Sequence, residues 1–186
     1  MPRYVALLRG INVGGKNRVA MADLRQLTEA LGHTEVVTYI NSGNVVFSSP
    51  DTDCDAMAEN LEQAIASSLA VRPAVVVLSR ADLAQVIADN PFTDEPNPRC
   101  LHAVFRRLEL APDAVAAVEG AQQRARAKGS RDQAVPVGRA LFLHTPDGLG
   151  RSELAAQLAR SKAQAEGTAR NWATVTRLMA MLDSDA

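Results

Sequence analysis

Ten residues near the amino terminus, RGINVGGKNR, combine three glycines, three cations and two asparagines. Glycine lets the backbone enter the left-handed region and approach a ligand closely. Lysine and arginine side chains make such a loop attractive to an anion. We therefore expect it to bind a phosphate-bearing ligand, either a nucleotide or the backbone of a nucleic acid. The candidate ligand-binding residues of this loop are Arg9, Asn12, Lys16, Asn17 and Arg18.

The spacing Gly10-x-x-x-x-Gly15-Lys16 approaches that of a P-loop. A P-loop needs Ser or Thr after the lysine to hold Mg²⁺, and a helix that begins there. Here the next residue is Asn17, and the helical pattern begins near Met21. A true nucleotide-hydrolysing loop is therefore disfavoured. Two interpretations remain: an anion-contacting loop of another kind, and a structural loop without a ligand.

A second glycine-rich connection, GLGRS, precedes another helical pattern near residue 152. Free N–H groups and the positive end of the helix dipole favour an anion at such a position. Ser152 is alternatively a simple N-cap. We expect the two loops to face each other across a cleft between two subdomains, with a polar pair at its rim. The candidate residues are Gly148, Gly150, Arg151 and Ser152 in the loop, and Arg170 and Asn171 at the rim.

His102 and His144 both lie in predicted strands, and adjacent strands would bring them together. Such a pair, joined by a carboxylate, suits acid–base chemistry on a small molecule, so both are candidate catalytic residues. Satisfied structural histidines are the other interpretation. No spacing typical of metal ligands is present, and we expect neither a metal nor a cofactor. His33, beside a predicted helix end, is expected at the surface or at the C-terminal end of that helix.

Three further features leave alternatives open. The cations Arg124, Arg126, Lys128 and Arg131 indicate a solvated helix face, or a surface for an acidic partner. Tyr4 and Phe47 fall in strands that stack bases in RNA-binding domains of the ferredoxin-like fold, although core packing is the simpler interpretation for Phe47. A non-catalytic oligomeric interaction module is a third functional hypothesis, beside ligand binding and catalysis.

Hydrophobic periodicity predicts the order β-α-β-β-α-β for the first 80 residues. This order is typical of the ferredoxin-like arrangement, an antiparallel sheet with both helices on one face. Gly32 is placed to end the first helix, and Thr52 with Asp55 to begin the second. The predicted strands are Tyr4–Leu8, Val36–Ile40, Val45–Phe47 and Val75–Leu78, and the helical stripes run from Met21 to Leu31 and from Met57 to Leu69.

The second half, residues 81–186, predicts a second, smaller α+β subdomain. Pro91 ends a short helix, and Gly138 separates two strand-like runs that a single bent strand would also explain. The predicted helices are Asp82–Asn90, Asp113–Lys128, one beginning after Ser152, and one from Trp172 to Leu182; the predicted strands are Cys100–Phe105, Ala134–Val137 and Arg139–His144.

The overall composition is that of an ordinary soluble globular protein, with 47% apolar residues, 22% charged residues and a net charge of -1. This charge alone predicts neither a nucleic-acid nor a membrane partner. No apolar run approaches the roughly 20 residues that a spanning helix needs. Cys54 and Cys100 stand apart, and no signal-peptide pattern precedes the first strand. We therefore expect a cytoplasmic protein without a membrane partner.

Several motifs along the chain resemble one bacterial family, the conserved domain of unknown function 1697. The resemblance implies a two-part α+β fold whose first part is ferredoxin-like, and it brings no settled activity, cofactor or catalytic residue. The motifs that carry it are LLRGINVGGKN from Leu7, SGNVVF from Ser42, NPF from Asn90, LH from Leu101, HTPDGLGRS from His144 and TARNW from Thr168.

Overall fold

The computed structural model describes residues 1–160 and 167–184. The chain divides into two compact units, one formed by residues 1–85 with the residues from 177 onward, the other by residues 86–176. Both units combine helices with a four-stranded antiparallel sheet, which confirms the α+β class. The predicted domain division near residue 80 stays a prediction.

The first unit has the predicted β-α-β-β-α-β order. Its elements are β1 (Arg3–Leu8), α1 (Met21–Ala30), β2 (Thr34–Tyr39), β3 (Asn44–Ser48), α2 (Cys54–Leu69) and β4 (Val75–Ser79), followed by α3 (Arg80–Ala88). The strands lie in the order β2-β3-β1-β4, and each neighbouring pair is antiparallel. This is the strand arrangement in which both β-α-β connections cross one face of the sheet.

Alternation along β1 places Tyr4, Ala6 and Leu8 on the same face of the sheet. That face shares one apolar cluster with Leu24 of α1 and Leu61 of α2. Both helices therefore pack on one face, as predicted. Burying each of these leucine side chains stabilises the fold by about 1.5–3 kcal/mol.

The aromatic rings of the sheet belong to this core. Tyr4 and Phe47 are stacked with their ring centroids 6.0 Å apart, and both are buried. They pack beneath the helices, so core packing rather than base stacking is their role. His33 is buried with its ring 4.5 Å from that of Phe47, and the expectation of a surface histidine is wrong. Burial lowers the pKa of His33 because it disfavours the charged ring.

The ends of the two helices confirm one capping prediction and correct another. Gly32 follows α1 with φ of +90°, and its N–H donates to the Glu29 carbonyl, as a left-handed cap requires. The helix α2 begins one residue later than Thr52 would place it. Its N-cap is Asp53, whose carboxylate accepts from the amides of Asp55 and Ala56 at 3.0 Å each.

The second unit repeats the element order of the first. Its elements are β5 (Leu101–Phe105), α4 (Pro112–Ala127), β6 (Gln133–Val137), β7 (Ala140–His144), α5 (Glu153–Leu158) and β8 (Thr168–Asn171). The last helix, α6 (Trp172–Asp183), begins in this unit, and its residues from 177 onward belong to the first unit. The strand order β6-β7-β5-β8 corresponds position by position to β2-β3-β1-β4. Each unit is thus built on the same topology, which the sequence did not reveal.

The structure decides one open prediction for the second unit, and one of its strands was not predicted. Val137 pairs with Ala140, and Gly138 has φ of +53°, so the two strand-like runs around Gly138 are two strands, β6 and β7, joined as a tight hairpin, and the alternative of one bent strand is wrong. The strand β8 occupies residues that no strand was predicted to cover. Along β5 and β7, alternate apolar residues such as Val104 and Leu143 pack with α4 and α5 in a second core.

Candidate functional site

The glycine-rich loop between β1 and α1 is anchored in the core at both ends. Ile11 and Val19 are 2% and 3% exposed and belong to the apolar cluster of the first unit. Gly43 makes the first anchor possible, because a Cβ there would lie 2.7 Å from Ile11 Cδ1 and 2.8 Å from Leu8 Cβ. Its φ of +76° also favours glycine.

Between the anchors the loop folds into a small hairpin. Val13 and Lys16 form a bridge, in which the Lys16 amide donates to the Val13 carbonyl at 3.1 Å. Gly14 and Gly15 make the turn with φ of +57° and +76°, the combination that a type I′ turn requires. Within the described ranges their amides donate to no acceptor, and the tip of the hairpin is exposed to solvent.

The two asparagines hold the hairpin in place. Asn12 Nδ2 donates to the carbonyls of Val19 and Asn41, and its Oδ1 accepts from the Val19 amide, all at 2.9 Å. Asn17 Nδ2 donates to the Gly10 carbonyl at 3.0 Å. These side-chain amides fold the loop itself, and their predicted contact with a ligand stays a prediction.

The three cations of the loop are not neutralised. Lys16 and Arg18 are exposed, and Arg9 is half-buried. None of the three forms an ion pair with a residue in the described part of the chain. Their positive charge therefore acts on the solvent around the hairpin.

An open groove of about 490 Å³ lies beside the hairpin, at the start of α1. Gly15 and Arg18 form one side of the groove, and Ala20 with Met21 contributes the beginning of the helix. Ala20 supplies no side-chain cap, so the first-turn amides keep their hydrogen-bonding capacity and the positive end of the helix dipole. Asp23, in the same turn, adds a negative charge. The full lining is Asn12, Gly15, Arg18, Val19, Ala20, Met21 and Asn41.

The second glycine-rich loop ends in a structural cap. Gly148 has φ of +90°, and one turn of 3-10 helix, Leu149–Arg151, leads to α5. Ser152 Oγ accepts from the Ala155 amide and donates to Asp132 Oδ2, both at 2.8 Å. Ser152 is thus the N-cap of a six-residue helix, and its hydroxyl is tied to a carboxylate that is only 4% exposed.

The remaining residues predicted at this site have different surroundings. Arg151 is exposed, and Gly150 lies in the 3-10 turn. Arg170 is 7% exposed, and its Nη1 donates to Thr168 Oγ1 at 2.7 Å and to the Ala169 carbonyl at 2.8 Å. Burial lowers the pKa of Arg170 to about 10.

Asn171 caps α6, since its Oδ1 accepts from the Thr174 amide at 2.8 Å. The predicted roles of both Arg170 and Asn171 in ligand binding, and the predicted cleft that the two loops share, stay predictions.

The strand register separates the two candidate catalytic histidines. His102 on β5 pairs with Leu143, whereas His144 on β7 pairs with Leu101. Directly paired residues of an antiparallel sheet share a face, and successive residues alternate. The two histidine rings therefore lie on opposite faces of the sheet, and the expectation that adjacent strands bring them together is wrong.

The two histidines have different neighbours. His144 Nε2 lies 2.6 Å from Glu95 Oε2, and its ring packs 5.1 Å from that of Phe92. A hydrogen bond from the Asn97 amide, and then the one to His144, lowers the pKa of the Glu95 carboxyl. His102 is 9% exposed, and burial lowers its pKa. In both rings Nδ1 is buried without a partner among the described residues.

Over residues 1–160 and 167–184, no three His, Cys, Asp or Glu side chains are grouped to hold a metal ion. Over the same two ranges, no helix is both long and apolar enough to span a bilayer.

Comparisons with known proteins cover both units. No curated protein matches the chain. A solved structure, "The structure of conserved bacterial protein SP0830 from Streptococcus pneumoniae", is similar over 98% of this chain and 99% of its own, with 28% sequence identity and a TM-score of 0.74. The model of a family described as "Protein of unknown function (DUF1697)" matches residues 1–142, which include the glycine-rich loop and its groove. The chain belongs to this family, DUF1697.

Proposed function

We propose that this chain is a cytoplasmic bacterial protein that binds a phosphate-bearing ligand, a nucleotide or a nucleic-acid backbone, at the groove beside the glycine-rich loop. One observation carries the proposal: the groove is lined by a guanidinium, by Gly15, whose amide donates to no acceptor within the described ranges, and by a helix start without a side-chain cap. Each of these groups donates hydrogen bonds or positive potential to an anion.

The expected affinity follows from the donors available. A hydrogen bond to a charged group contributes about 1.5–3 kcal/mol, and a helix N-terminus about 0.3–1 kcal/mol. Two such hydrogen bonds, together with the contribution of the helix N-terminus, correspond to a Kd between about four millimolar and about ten micromolar. The side chains of Asn12 and Asn17 add rigidity, because they fix the turn before a ligand arrives.

The carboxylate of Asp23, in the first turn of α1, repels an anionic ligand at the start of this helix. We expect Asp23→Asn to tighten the binding of phosphate, since repulsion is removed while the helix amides stay in place. The use of His102 or His144 in catalysis and a role as an oligomeric module stay predictions.

The test is a calorimetric titration of the full chain with inorganic phosphate, pyrophosphate and ATP. Arg18→Ala is expected to weaken binding about tenfold, because it removes the guanidinium that lines the groove. Arg25→Ala is the matched control, since Arg25 is an exposed arginine on α1 that does not line the groove. Equal affinities of these two variants, or no heat with any of the three anions, would refute the proposal.

A further inference from the structure

A second groove, of about 600 Å³, runs between α4 and α5 in the other unit. Among the described residues, three cations and one carboxylate line it, which leaves an excess of two positive charges. We propose that this groove binds the phosphate backbone of a nucleic acid, independently of the glycine-rich loop. Its lining residues are Arg124, Ala127, Lys128, Glu153, Gln157 and Arg160.

A ladder of hydrogen bonds crosses the groove and fixes its donors. Arg124 Nε donates to Gln157 Oε1 at 2.9 Å, and Gln157 Nε2 donates to Glu153 Oε1 at 3.1 Å. Lys128 Nζ lies 2.5 Å from the same Glu153 oxygen. Because only one of its five N–H groups is used in the ladder, Arg124 is oriented and still has donors for an anion.

Gly120 makes room for this orientation. Glycine is unfavourable inside a helix relative to alanine, and Gly120 lies in the interior of α4. A Cβ at this position would lie 3.1 Å from Arg124 Nη1. The guanidinium thus occupies the space that a side chain at position 120 would restrict. An arginine held in this way loses less freedom when it binds.

Two of the cations in the groove form no ion pair with a carboxylate among its described lining residues. Lys128 is paired with Glu153, so Arg124 and Arg160 supply the excess positive charge. The pKa of Glu153 is lowered by hydrogen bonds from Lys128 and Gln157, and by the charges of Lys128 and Arg160. This shift has the direction expected for a carboxylate surrounded by cations.

The form of the groove favours a nucleic-acid backbone over a single nucleotide. Arg124 and Lys128 are one helical turn apart, about 5–6 Å between their Cβ atoms, so they can contact neighbouring phosphates. None of the described residues that line the groove is an aromatic on which a base would stack. Contacts would therefore go to phosphates, which makes binding independent of sequence and sensitive to salt. The planar guanidinium also matches two phosphate oxygens at once.

The test is fluorescence anisotropy of a short labelled single-stranded RNA, and of DNA of the same mixed sequence, titrated with the full chain over a series of KCl concentrations. Arg124→Ala and Arg160→Ala should each weaken binding about tenfold. Each should also reduce the slope of log affinity against log salt by about 0.7. Arg126→Ala is the matched control, because Arg126 is exposed on α4 but does not line the groove.

Two further variants separate a lost contact from a damaged fold. Gly120→Ala should raise the melting temperature through its helix propensity, yet weaken binding because it displaces the Arg124 guanidinium. Glu153→Gln should strengthen binding, since it removes the only carboxylate that lines the groove among the described residues.

Unchanged affinity and salt slope in the Arg124→Ala, Arg160→Ala double variant would overturn the inference. Binding of polyglutamate, with no binding of either oligonucleotide, would overturn it in favour of an acidic protein partner. The glycine-rich loop is judged separately by its binding of inorganic phosphate and by Arg18→Ala. Either of the two proposed binding sites can therefore be refuted without refuting the other.

Discussion

The side-chain amide of Asn12 pairs with both backbone groups of Val19: Nδ2 donates to the carbonyl and Oδ1 accepts from the N–H, each at 2.9 Å. Asn12 thereby acts as a short bridge across the base of the hairpin. A further bond to the Asn41 carbonyl ties the hairpin to the turn after β2. The Gly14–Gly15 turn is positioned by these contacts before any ligand binds.

Asn12→Asp is expected to lower the free energy of unfolding by about 2 kcal/mol, because it leaves two carbonyls without a donor. Asn17→Asp is the matched control, since it removes a single bond at an exposed position. Urea denaturation of both variants measures the difference. Equal stabilities would contradict the role of Asn12.

Asp53→Ala should destabilise the protein by about 1 kcal/mol, because it removes the side-chain cap of two amides at the start of α2. Thr52→Ala, one residue earlier, should have no comparable effect. Thermal unfolding monitored by circular dichroism compares the two. A larger loss in the Thr52 variant would return the cap to the residue that the sequence suggested.

His102→Leu is expected to leave the free energy of unfolding at neutral pH unchanged, or to raise it by up to about 1 kcal/mol. The reason is that it removes a buried Nδ1 without a partner among the described residues. The folded-state pKa of His102 is lowered from 6.5, so the unfolded chain takes up its proton first as the pH falls. The advantage of the variant should therefore grow below pH 6.5. A loss of about 2 kcal/mol at neutral pH would show that His102 makes a valuable polar contact.

Glu95→Gln tests the hydrogen bonds of the Glu95 carboxylate to Asn97 and His144 through their pH dependence. The pKa of Glu95 is lower in the folded state, so the carboxylate stabilises the fold above its ordinary value of 4.5 and loses this effect as the pH falls. Urea midpoints should therefore favour the wild type near neutral pH, and the two proteins should converge in acid. Glu109→Gln, which removes an exposed carboxylate, controls for net charge. A difference between wild type and Glu95→Gln that is constant across this range would argue against a stabilising role of these hydrogen bonds.

The fold of the first unit could be predicted because its signals are local. Residues 4–8 form a near-continuous apolar run typical of a buried strand, and Gly32 ends α1 where left-handed geometry is needed. The second unit carries weaker signals. The strand β8 has the sequence TARN without apolar alternation, and α5 is only six residues long. For this reason, the sequence does not indicate that the second unit has the same topology as the first.

The position of the candidate site could be predicted from the sequence, but the roles of its individual residues could not. An asparagine in a glycine-rich loop has the same appearance in sequence whether it contacts a ligand or, like Asn12, the loop backbone. The separation of His102 and His144 depends on a strand register that residue types do not encode. The groove between α4 and α5 depends on Gln157 and Gly120, neither of which has a chemical motif.

The central claim, that the groove beside the glycine-rich loop takes a phosphate group, is tested most directly by a two-dimensional amide NMR titration of the full chain with pyrophosphate. The amides of Gly14, Gly15, Met21 and Ala22 are expected to shift first and along one saturating curve. Arg18→Ala is expected to raise the pyrophosphate concentration at which these shifts reach half of their maximum. Saturating pyrophosphate that leaves these amides unshifted would contradict the central claim.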